Sequence, residues 1–258
     1  MNILFLGDIV GRTGREAVFD HLYDLRQKYD IDLCIANAEN AAGGFGIVRD
    51  VADELIHAGV DIFTMGNHTW SKKEIFNLFY EGYSIVRPYN VSSENDGKGI
   101  LTFTSPSGER AAVINLLGKL YTNVPCENPF TAIEKALLEI PEDIKNIFVD
   151  FHAEATSEKK AMGFYLDSRV SAVFGTHTHV QTADETILEG GTAYITDVGM
   201  CGPVNSVLGA KKEPAIRRFV SPDAPHSYEV AKGNRELCGM FLQTDANGKA
   251  VKIERLKL

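Results

Sequence analysis

The sequence lacks an apolar run approaching 18 residues, a CxxC pair and an excess of basic residues, and each absence excludes a class of protein. Without such a run, no membrane-spanning helix is expected. The cysteines at positions 34, 126, 201 and 238 stand far apart, which is typical of reduced thiols in a cytoplasmic protein. The formal net charge of −9 argues against an extended nucleic-acid-binding surface, which would need clustered lysine and arginine.

The apolar periodicity of the first 80 residues predicts alternating strands and helices. Strands are expected at residues 1–6, 33–36 and 61–65, and helices at 15–29, 48–58 and 71–80. Thr13 is the expected N-cap of the first helix, Gly59 closes the second, and Ser71 with Glu74 would form a capping box on the third. This βαβαβ order predicts a parallel sheet with right-handed crossovers. Because the chain opens on a strand rather than a signal segment, we expect a cytoplasmic location.

The rest of the sequence predicts a second sheet. A hairpin is expected where residues 99–104 and 110–116 flank the turn SPSG. Further strands are expected at 146–151, 170–174, 192–196, 238–244 and 251–256, further helices at 129–139 and 157–166, and a long functional or mobile loop at 208–233. We therefore predict a single domain over residues 1–258, built as a four-layer α/β/β/α sandwich of two packed mixed sheets flanked by helices.

Seven polar side chains follow apolar, strand-like runs, each at the point where the run ends. They are Asp8, Glu39, Asn40, Asn67, His152, His177 and His179. Ligands of open α/β sheets bind outside the carboxyl ends of the strands, so these side chains should converge on one crevice. Oxygen and nitrogen donors in this number are enough to hold two metal ions, and imidazole suits zinc, iron, manganese, cobalt or nickel.

Each motif alone has a simpler explanation as well. His177 and His179 could be exposed turn residues, and the Gly66-Asn67-His68 turn could be an Asn-type turn or a helix cap. Asp8 could be a nucleophile or an N-cap, and the loop at 39–44 could bind metal or cradle a phosphate, although it matches neither GxGxxG nor the P-loop. A lone His152 would more often be a core residue. His21, His57 and His226 receive no role.

In combination and in order, these motifs resemble the calcineurin-like metallophosphoesterase superfamily. The segments GDIVGRTGR at 7–15, NAENAAGG at 37–44, GNHTW at 66–70, DFHAEATSEK at 150–159 and GTHTHVQ at 175–181 resemble its bacterial YmdB-type branch. The resemblance continues through TDVGM at 196–200 and so extends over nearly the whole chain. It implies a metallophosphoesterase fold and an enzyme, a metal-dependent phosphodiesterase.

The ligand set is implied by the resemblance, with three departures from the broad superfamily. Val10 stands where a histidine is usual, Glu39 replaces the bridging aspartate, and Thr69 replaces the acidic residue after the GNH turn. These are the variants expected in the YmdB-type branch, where Asn40 fills the place of the missing histidine. The resemblance implies that Asp8, Glu39, Asn40 and His179 form the first metal site, and that Glu39, Asn67, His152 and His177 form the second.

The implied cofactors are two divalent or mixed-valence first-row metal ions, with iron and manganese favoured over zinc, cobalt and nickel. Two ions held by two carboxylates keep a local charge of about +2, which attracts a phosphodiester monoanion. Such ions bind a bridging water and lower its pKa, and the resulting hydroxide attacks phosphorus. His68 is the candidate general acid for the leaving alkoxide. Arg12 and the backbone amides of residues 41–46 are candidate phosphate contacts.

The expected substrates are small nucleotide phosphodiesters, and the resemblance favours 2′,3′-cyclic nucleotides. No base pocket is identified from the residues, because Phe45 and Trp70 fit a core or lid role better than base stacking. A phosphomonoesterase with the same site is the first alternative. A regulatory protein with a non-essential metal site is the second. A homo-oligomer is plausible from the resemblance, with no interface recognisable in the sequence.

Overall fold

The computed structural model describes residues 1–92, 96–221, 223 and 228–258. The strands are β1 Asn2–Leu6, β2 Asp8–Ile9, β3 Leu33–Asn37, β4 Ile62–Thr64, β5 Ile85–Val86, β6 Ile100–Thr104, β7 Arg110–Leu117, β8 Asn146–His152, β9 Ala172–Thr176, β10 Thr186–Ile187, β11 Ala193–Ile195, β12 Met200–Pro203, β13 Arg235–Glu236, β14 Cys238–Thr244 and β15 Ala250–Lys257. The helices are α1 Gly11–Tyr29, α2 Arg49–Ala58, α3 Ile75–Glu81, α4 Pro129–Leu138, α5 Thr156–Tyr165 and α6 Lys212–Val220.

Two six-stranded mixed sheets form the centre of the molecule. The first has the order β15-β14-β1-β3-β4-β5, in which β1, β3, β4 and β5 run parallel. The second has the order β10-β11-β9-β8-β7-β6, with β7, β8, β9 and β11 parallel. The parallel strands are buried on both faces, as their nearly continuous apolar sequences require. A three-stranded sheet of β13, β12 and β2 lies beside them.

Three apolar clusters place the sheets face to face between helices. One cluster joins the inner faces of both sheets, where Phe5 of β1 stacks on Phe174 of β9 with ring centroids 4.5 Å apart. A second joins the outer face of the first sheet to α1, α2 and α3, and a third joins the second sheet to α4 and α5. The predicted four-layer α/β/β/α sandwich is confirmed.

Two predicted helix starts are wrong. Helix α1 begins at Gly11 rather than at residue 15, and Thr13 lies inside it, where its hydroxyl donates to the Ala231 carbonyl oxygen. The predicted capping box is absent, because α3 begins at Ile75 and the Glu74 carboxylate accepts from the Arg49 backbone N–H instead. In both cases a contact with a residue distant in the sequence outweighs the local capping preference.

The predicted loop at 208–233 contains the helix α6, which has no buried residue. Its large apolar side chains are exposed, including Phe219. His226 lies outside the described residues. The four cysteines are free thiols, and Cys34 is buried in β3 as predicted. Within the described part of the chain, no helix has the length and apolar character needed to cross a membrane.

Candidate metal centre

The eight side chains singled out in the sequence come together at one end of the two sheets. In the first sheet, Glu39 and Asn40 follow β3, and Asn67 and His68 follow β4. In the second sheet, His152 ends β8, and His177 and His179 follow β9. Asp8 begins β2, two residues after the end of β1. The convergence follows from the parallel strands, whose carboxyl ends share one edge.

Three groups that can bind a metal lie around the Nε2 atom of His152. This atom lies 3.1 Å from Glu39 Oε1, 3.1 Å from Asn67 Oδ1 and 3.0 Å from His177 Nδ1. A single proton on Nε2 can serve one of these three neighbours, so hydrogen bonding alone does not satisfy the group. The four residues match the set predicted for the second metal site.

The set predicted for the first site forms a neighbouring cluster. His179 Nε2 lies 3.6 Å from Asp8 Oδ1 and 3.1 Å from the side-chain amide of Asn40. The Asn40 amide is also 3.3 Å from Glu39 Oε1 and 3.5 Å from Asp8 Oδ1. Rotating this amide by half a turn would place its oxygen at the same position, where it could act as a metal ligand. Glu39 Oε1 therefore borders both clusters.

The two clusters fit divalent first-row ions in chemistry and spacing. Ligand atoms held about 2.1 Å from one ion lie roughly 3.0–3.4 Å from one another, which matches most of these separations. Asp8, Glu39 and His152 are almost fully buried, so their charged and polar atoms need partners from within the site. Gly66 keeps the space clear, because a Cβ atom there would lie 2.4 Å from Glu39 Oε2.

The loop that carries the last two histidines is held in an unusual backbone conformation. His177 and His179 have φ angles of 100° and 63°, a region that non-glycine residues rarely adopt. Asp197 holds the loop by accepting from the Thr178 backbone N–H at 3.0 Å and from its hydroxyl at 2.7 Å. Lys159 donates to the same carboxylate at 2.6 Å. Strain of this kind persists where the surrounding contacts fix it, and it is concentrated at functional sites.

Burial and neighbouring charges raise the pKa of some side chains of the two clusters and lower that of others. Burial disfavours the charged form of His152, but the charge and hydrogen bond of Glu39 outweigh burial and raise the pKa of His152 to about 9. Burial and the nearby His152 lower the pKa of His177 to about 4. Burial works against ionisation of Asp8, but hydrogen bonding and the charge of His179 bring its pKa well below the ordinary value. Burial is also the main cause that lowers the pKa of His68.

We expect metal binding to release protons at neutral pH. With its pKa raised to about 9, His152 is protonated at pH 7 in the ion-free protein, whereas His177 is neutral. An ion at the second site would displace about one proton, so metal affinity should rise with pH until His152 has titrated. Calorimetric titration with Mn²⁺ at pH 7, in two buffers of different ionisation enthalpy, measures this number. Binding with no proton uptake by either buffer would contradict the prediction.

The cluster opens into a cleft of about 780 Å³. Its lining includes Glu39, Asn40, Gly44, Phe45, His68, Glu154, His177, Thr178, His179, Leu208, Arg218 and Tyr228. The His68 backbone N–H donates to Glu39 Oε2 at 2.8 Å, and its ring meets the Phe45 ring with centroids 4.8 Å apart. Phe45 in turn packs against Tyr228 at 4.7 Å. His68 therefore stands beside the cluster without being one of its donors.

Of the two groups of candidate phosphate contacts, Arg12 lies outside this cleft, whereas the loop at 41–46 contributes Gly44 and Phe45 to its lining. Arg12 pairs with Glu16 at 2.9 Å and lines a different cleft. In the loop at 41–46, the amides of Ala41, Ala42, Gly44 and Gly46 donate to carbonyl oxygens of the same loop region. Phosphate contacts from this loop stay a prediction, with these four amides already engaged in backbone hydrogen bonds. Trp70 packs against the apolar core, as expected, and does not line the cleft.

The structure adds cleft residues that the sequence analysis missed. The Glu154 carboxylate lies 3.2 Å from His177 Nε2, on the side of the ring away from His152. It was part of the segment DFHAEATSEK, but nothing in its local pattern marked it as a neighbour of His177. Arg218 and Tyr228 belong to the segment predicted as an irregular loop, which offered no signal for either.

Comparison with solved structures identifies the class of fold. A 5′-nucleotidase precursor from Thermus thermophilus superimposes with a TM-score of 0.61 at 14% identity, over 100% of this chain and 54% of that chain. At this identity the likeness concerns the fold alone, which is that of the calcineurin-like metallophosphoesterases. The protein therefore has this fold.

Sequence comparison identifies the family within that class. The profile of the family described as YmdB-like protein matches residues 4–256, and the chain belongs to this family. The 2′,3′-cyclic-nucleotide 2′-phosphodiesterase of Bacillus subtilis (strain 168) is 48% identical over 257 residues, which cover 99% of this chain and 96% of the relative. A solved structure described as a novel phosphatase from Mycoplasma pneumoniae has a TM-score of 0.93 at 39% identity, covering 100% of this chain and 93% of that one. The predicted resemblance is confirmed.

Proposed function

We propose that the protein is a two-metal phosphodiesterase that hydrolyses small nucleotide phosphodiesters, with 2′,3′-cyclic nucleotides as the first candidates. The observation that carries the proposal is the position of Glu39 Oε1, which borders both donor clusters and can bridge two ions. Family membership and a relative with 48% identity support the phosphodiesterase class. Ions bound here would supply an acidified water and neutralise charge on the phosphoryl oxygens.

The charge of the proposed site attracts a phosphodiester anion. Asp8 and Glu39 are the two carboxylates of the ligand set, and the other five ligands are neutral when they bind a metal. Two divalent ions would therefore leave a local charge of about +2, which suits a phosphodiester monoanion. The cleft at the site is large enough for a nucleotide, because pockets for small molecules measure about 300–1,000 Å³.

His68 is the proposed general acid. It lines the cleft, its backbone is fixed by the hydrogen bond to Glu39, and its ring is held at the edge of Phe45. The Nδ1 atom is 3.4 Å from the Ser71 hydroxyl, which leaves Nε2 available to protonate a leaving oxygen. Its part in the reaction would be to deliver that proton as the ester bond to the ribose breaks.

The identity of the ions, the location of the protein, its substrate and its assembly are proposed as well. We propose iron or manganese as the ions, since mixed nitrogen and oxygen ligands accept several first-row metals, zinc, cobalt and nickel among them. We further propose a cytoplasmic location, a small-molecule substrate rather than a nucleic acid, and a single domain over residues 1–258. Association into a homo-oligomer remains a hypothesis.

Replacing His68 by alanine tests the proposal through two substrates that differ in leaving group. Loss of a general acid typically costs about 10²–10⁴-fold in rate, so we expect a fall of that order with 2′,3′-cyclic AMP. The fall should be much smaller with bis-p-nitrophenyl phosphate, because p-nitrophenolate leaves without a proton. Steady-state hydrolysis by metal-stripped protein reloaded with Mn²⁺, together with its metal content, measures both effects.

His57→Ala is the matched control, because His57 is exposed on α2 and should leave both rates unchanged. Equal losses on the two substrates would show that His68 positions the substrate and is not the acid. Unchanged rates would remove His68 from the mechanism. A preference for p-nitrophenyl phosphate would favour a phosphomonoesterase. No turnover by a folded protein with both ions bound would favour a regulatory role.

A further inference from the structure

A carboxylate that is not among the proposed metal ligands, that of Asp150, lies fully buried beneath the proposed second metal site. Asp150 is on β8, two residues before His152, and both side chains therefore point to the same side of the strand. Its oxygens accept hydrogen bonds from the hydroxyls of Thr176 and Thr64 and from the Asn37 side-chain amide. A buried carboxylate needs hydrogen-bond partners. Here the three partners come from three different strands, β9, β4 and β3, and not from a single local turn or helix cap.

The Thr176 hydroxyl stands between this carboxylate and His152. Thr176 Oγ1 donates its proton to Asp150 Oδ1 at 2.6 Å, so it faces His152 Nδ1, 2.9 Å away, with a lone pair. A hydroxyl has one proton to give, and the hydrogen bond between Thr176 and His152 must therefore be donated by the imidazole. This direction places a proton on Nδ1.

The other neighbours of His152 Nδ1 do not compete for this proton. The Asn37 side-chain nitrogen is 3.5 Å away and is itself a donor, which already serves Asp150 and the Met65 carbonyl oxygen. Asp8 Oδ1 is 4.0 Å away, which is too long for a hydrogen bond. Thr176 is therefore the acceptor that remains among the described residues.

We infer that Asp150 is a positioning residue that acts through the Thr176 hydroxyl to hold His152 in the Nδ1–H form, with its Nε2 lone pair directed at the second metal site. The inference rests on the metal-binding part of the proposed function. Ligand histidines commonly donate their other ring proton to a carboxylate or another acceptor, which fixes the tautomer and the orientation of the ring. Here the acceptor is a hydroxyl whose own orientation is set by the buried carboxylate.

A purely structural role is the rival explanation, because the same hydrogen bonds tie β8 to β3, β4 and β9. The two roles differ in what the Thr176 hydroxyl does. A structural tie would affect stability, whereas the positioning role requires an oxygen that accepts from His152. Serine and valine at position 176 separate the two roles. Serine keeps the hydroxyl of threonine, whereas valine keeps its shape without the hydroxyl.

Metal affinity of the Thr176→Val and Thr176→Ser variants tests the inference. Loss of an outer hydrogen-bond partner of a ligand histidine typically weakens metal binding by about 10–100-fold, and we expect this loss at one of the two sites in the valine variant. The serine variant should bind both ions within about threefold of the wild-type protein. Calorimetric titration with Mn²⁺ and the metal content after dialysis measure this without any assay of activity.

Nuclear magnetic resonance of the zinc-loaded protein with ¹⁵N-labelled histidine gives a readout that a structural role would not move. The wild-type and serine variants should show His152 with a proton on Nδ1 and none on Nε2. The valine variant should lose the hydrogen-bonded shift of that Nδ1 proton. Asp150→Asn should weaken metal binding in the same direction as Thr176→Val.

Asp184→Asn is the matched control, because Asp184 also accepts from two threonine hydroxyls, those of Thr182 and Thr196, but lies outside the ligand set. It should lower stability without changing metal affinity. The inference is overturned if a folded Thr176→Val protein binds both ions as tightly as the wild type, or if Thr176→Ser loses as much affinity as Thr176→Val. An inactive wild-type protein whose metal binding still depends on the hydroxyl would overturn the proposed function alone.

Discussion

Replacing Glu39 by glutamine is expected to abolish activity and to leave fewer than two ions bound per chain. Glu39 Oε1 lies 3.1 Å from His152 Nε2 and 3.3 Å from the Asn40 amide, so its charge would serve both sites. Without it, Asp8 is the sole carboxylate of the proposed ligand set, and the mutual repulsion of two divalent ions is then poorly compensated. We expect the rate with 2′,3′-cyclic AMP to fall by about 10³-fold or more.

The isosteric amide makes the Glu39→Gln experiment specific to charge. Glutamine keeps the oxygen that accepts from the His68 backbone N–H, so the loop after β4 should keep its position and the protein should fold. Metal content by mass spectrometry and turnover are measured on the same sample, beside Glu142→Gln, which changes an exposed carboxylate on the surface. A Glu39→Gln protein that retains both ions and full activity would show that Glu39 does not bridge them.

Much of the fold was predictable because local patterns and the layer architecture agree. The parallel strands are predominantly apolar, as burial on both faces requires, and α2 is closed by Gly59, which adopts a left-handed conformation. Where the predictions failed, a distant contact decided. Thr13 and Glu74 have the chemistry of helix caps but bind partners far away in the sequence. The exposed α6 has no buried residue, although its apolar residues follow helical spacing, and it was predicted as a loop.

The proposed ligands could be predicted from the sequence, whereas the residues that support them could not. Each proposed ligand lies where an apolar, strand-like run of the sequence ends, so its position in the chain and its side-chain chemistry together marked it. The supporting residues, such as Asp150, Thr176 and Asp197, have no local mark, because their partners come from other strands. From the sequence alone, an aspartate near the end of a strand is equally consistent with a helix cap and with a metal ligand; only its hydrogen bonds in the structure distinguish the roles.

The second large effect is expected on stability, from replacing Lys159 by methionine. Lys159 Nζ lies 2.6 Å from Asp197 Oδ2, and both side chains are only 1% exposed. Methionine fills most of the same volume but leaves the carboxylate buried without its countercharge. Removing one partner of a buried pair typically costs about 3–5 kcal/mol, and we expect a loss of that size in the free energy of unfolding. Urea denaturation of the metal-free protein measures it.

The exposed pair of Lys135 and Glu127 supplies the control, since its side chains are 56% and 61% exposed. Lys135→Met should cost no more than about 1 kcal/mol, because solvent screens the pair. Both substitutions replace lysine by methionine, so the difference between the two losses in the free energy of unfolding measures the effect of burying the ion pair. Lys159→Met should also weaken metal binding, because the same Asp197 carboxylate holds Thr178 between the two ligand histidines. A loss near that of Lys135→Met would mean that water or the hydrogen bonds from Thr178 compensate the Asp197 charge without Lys159.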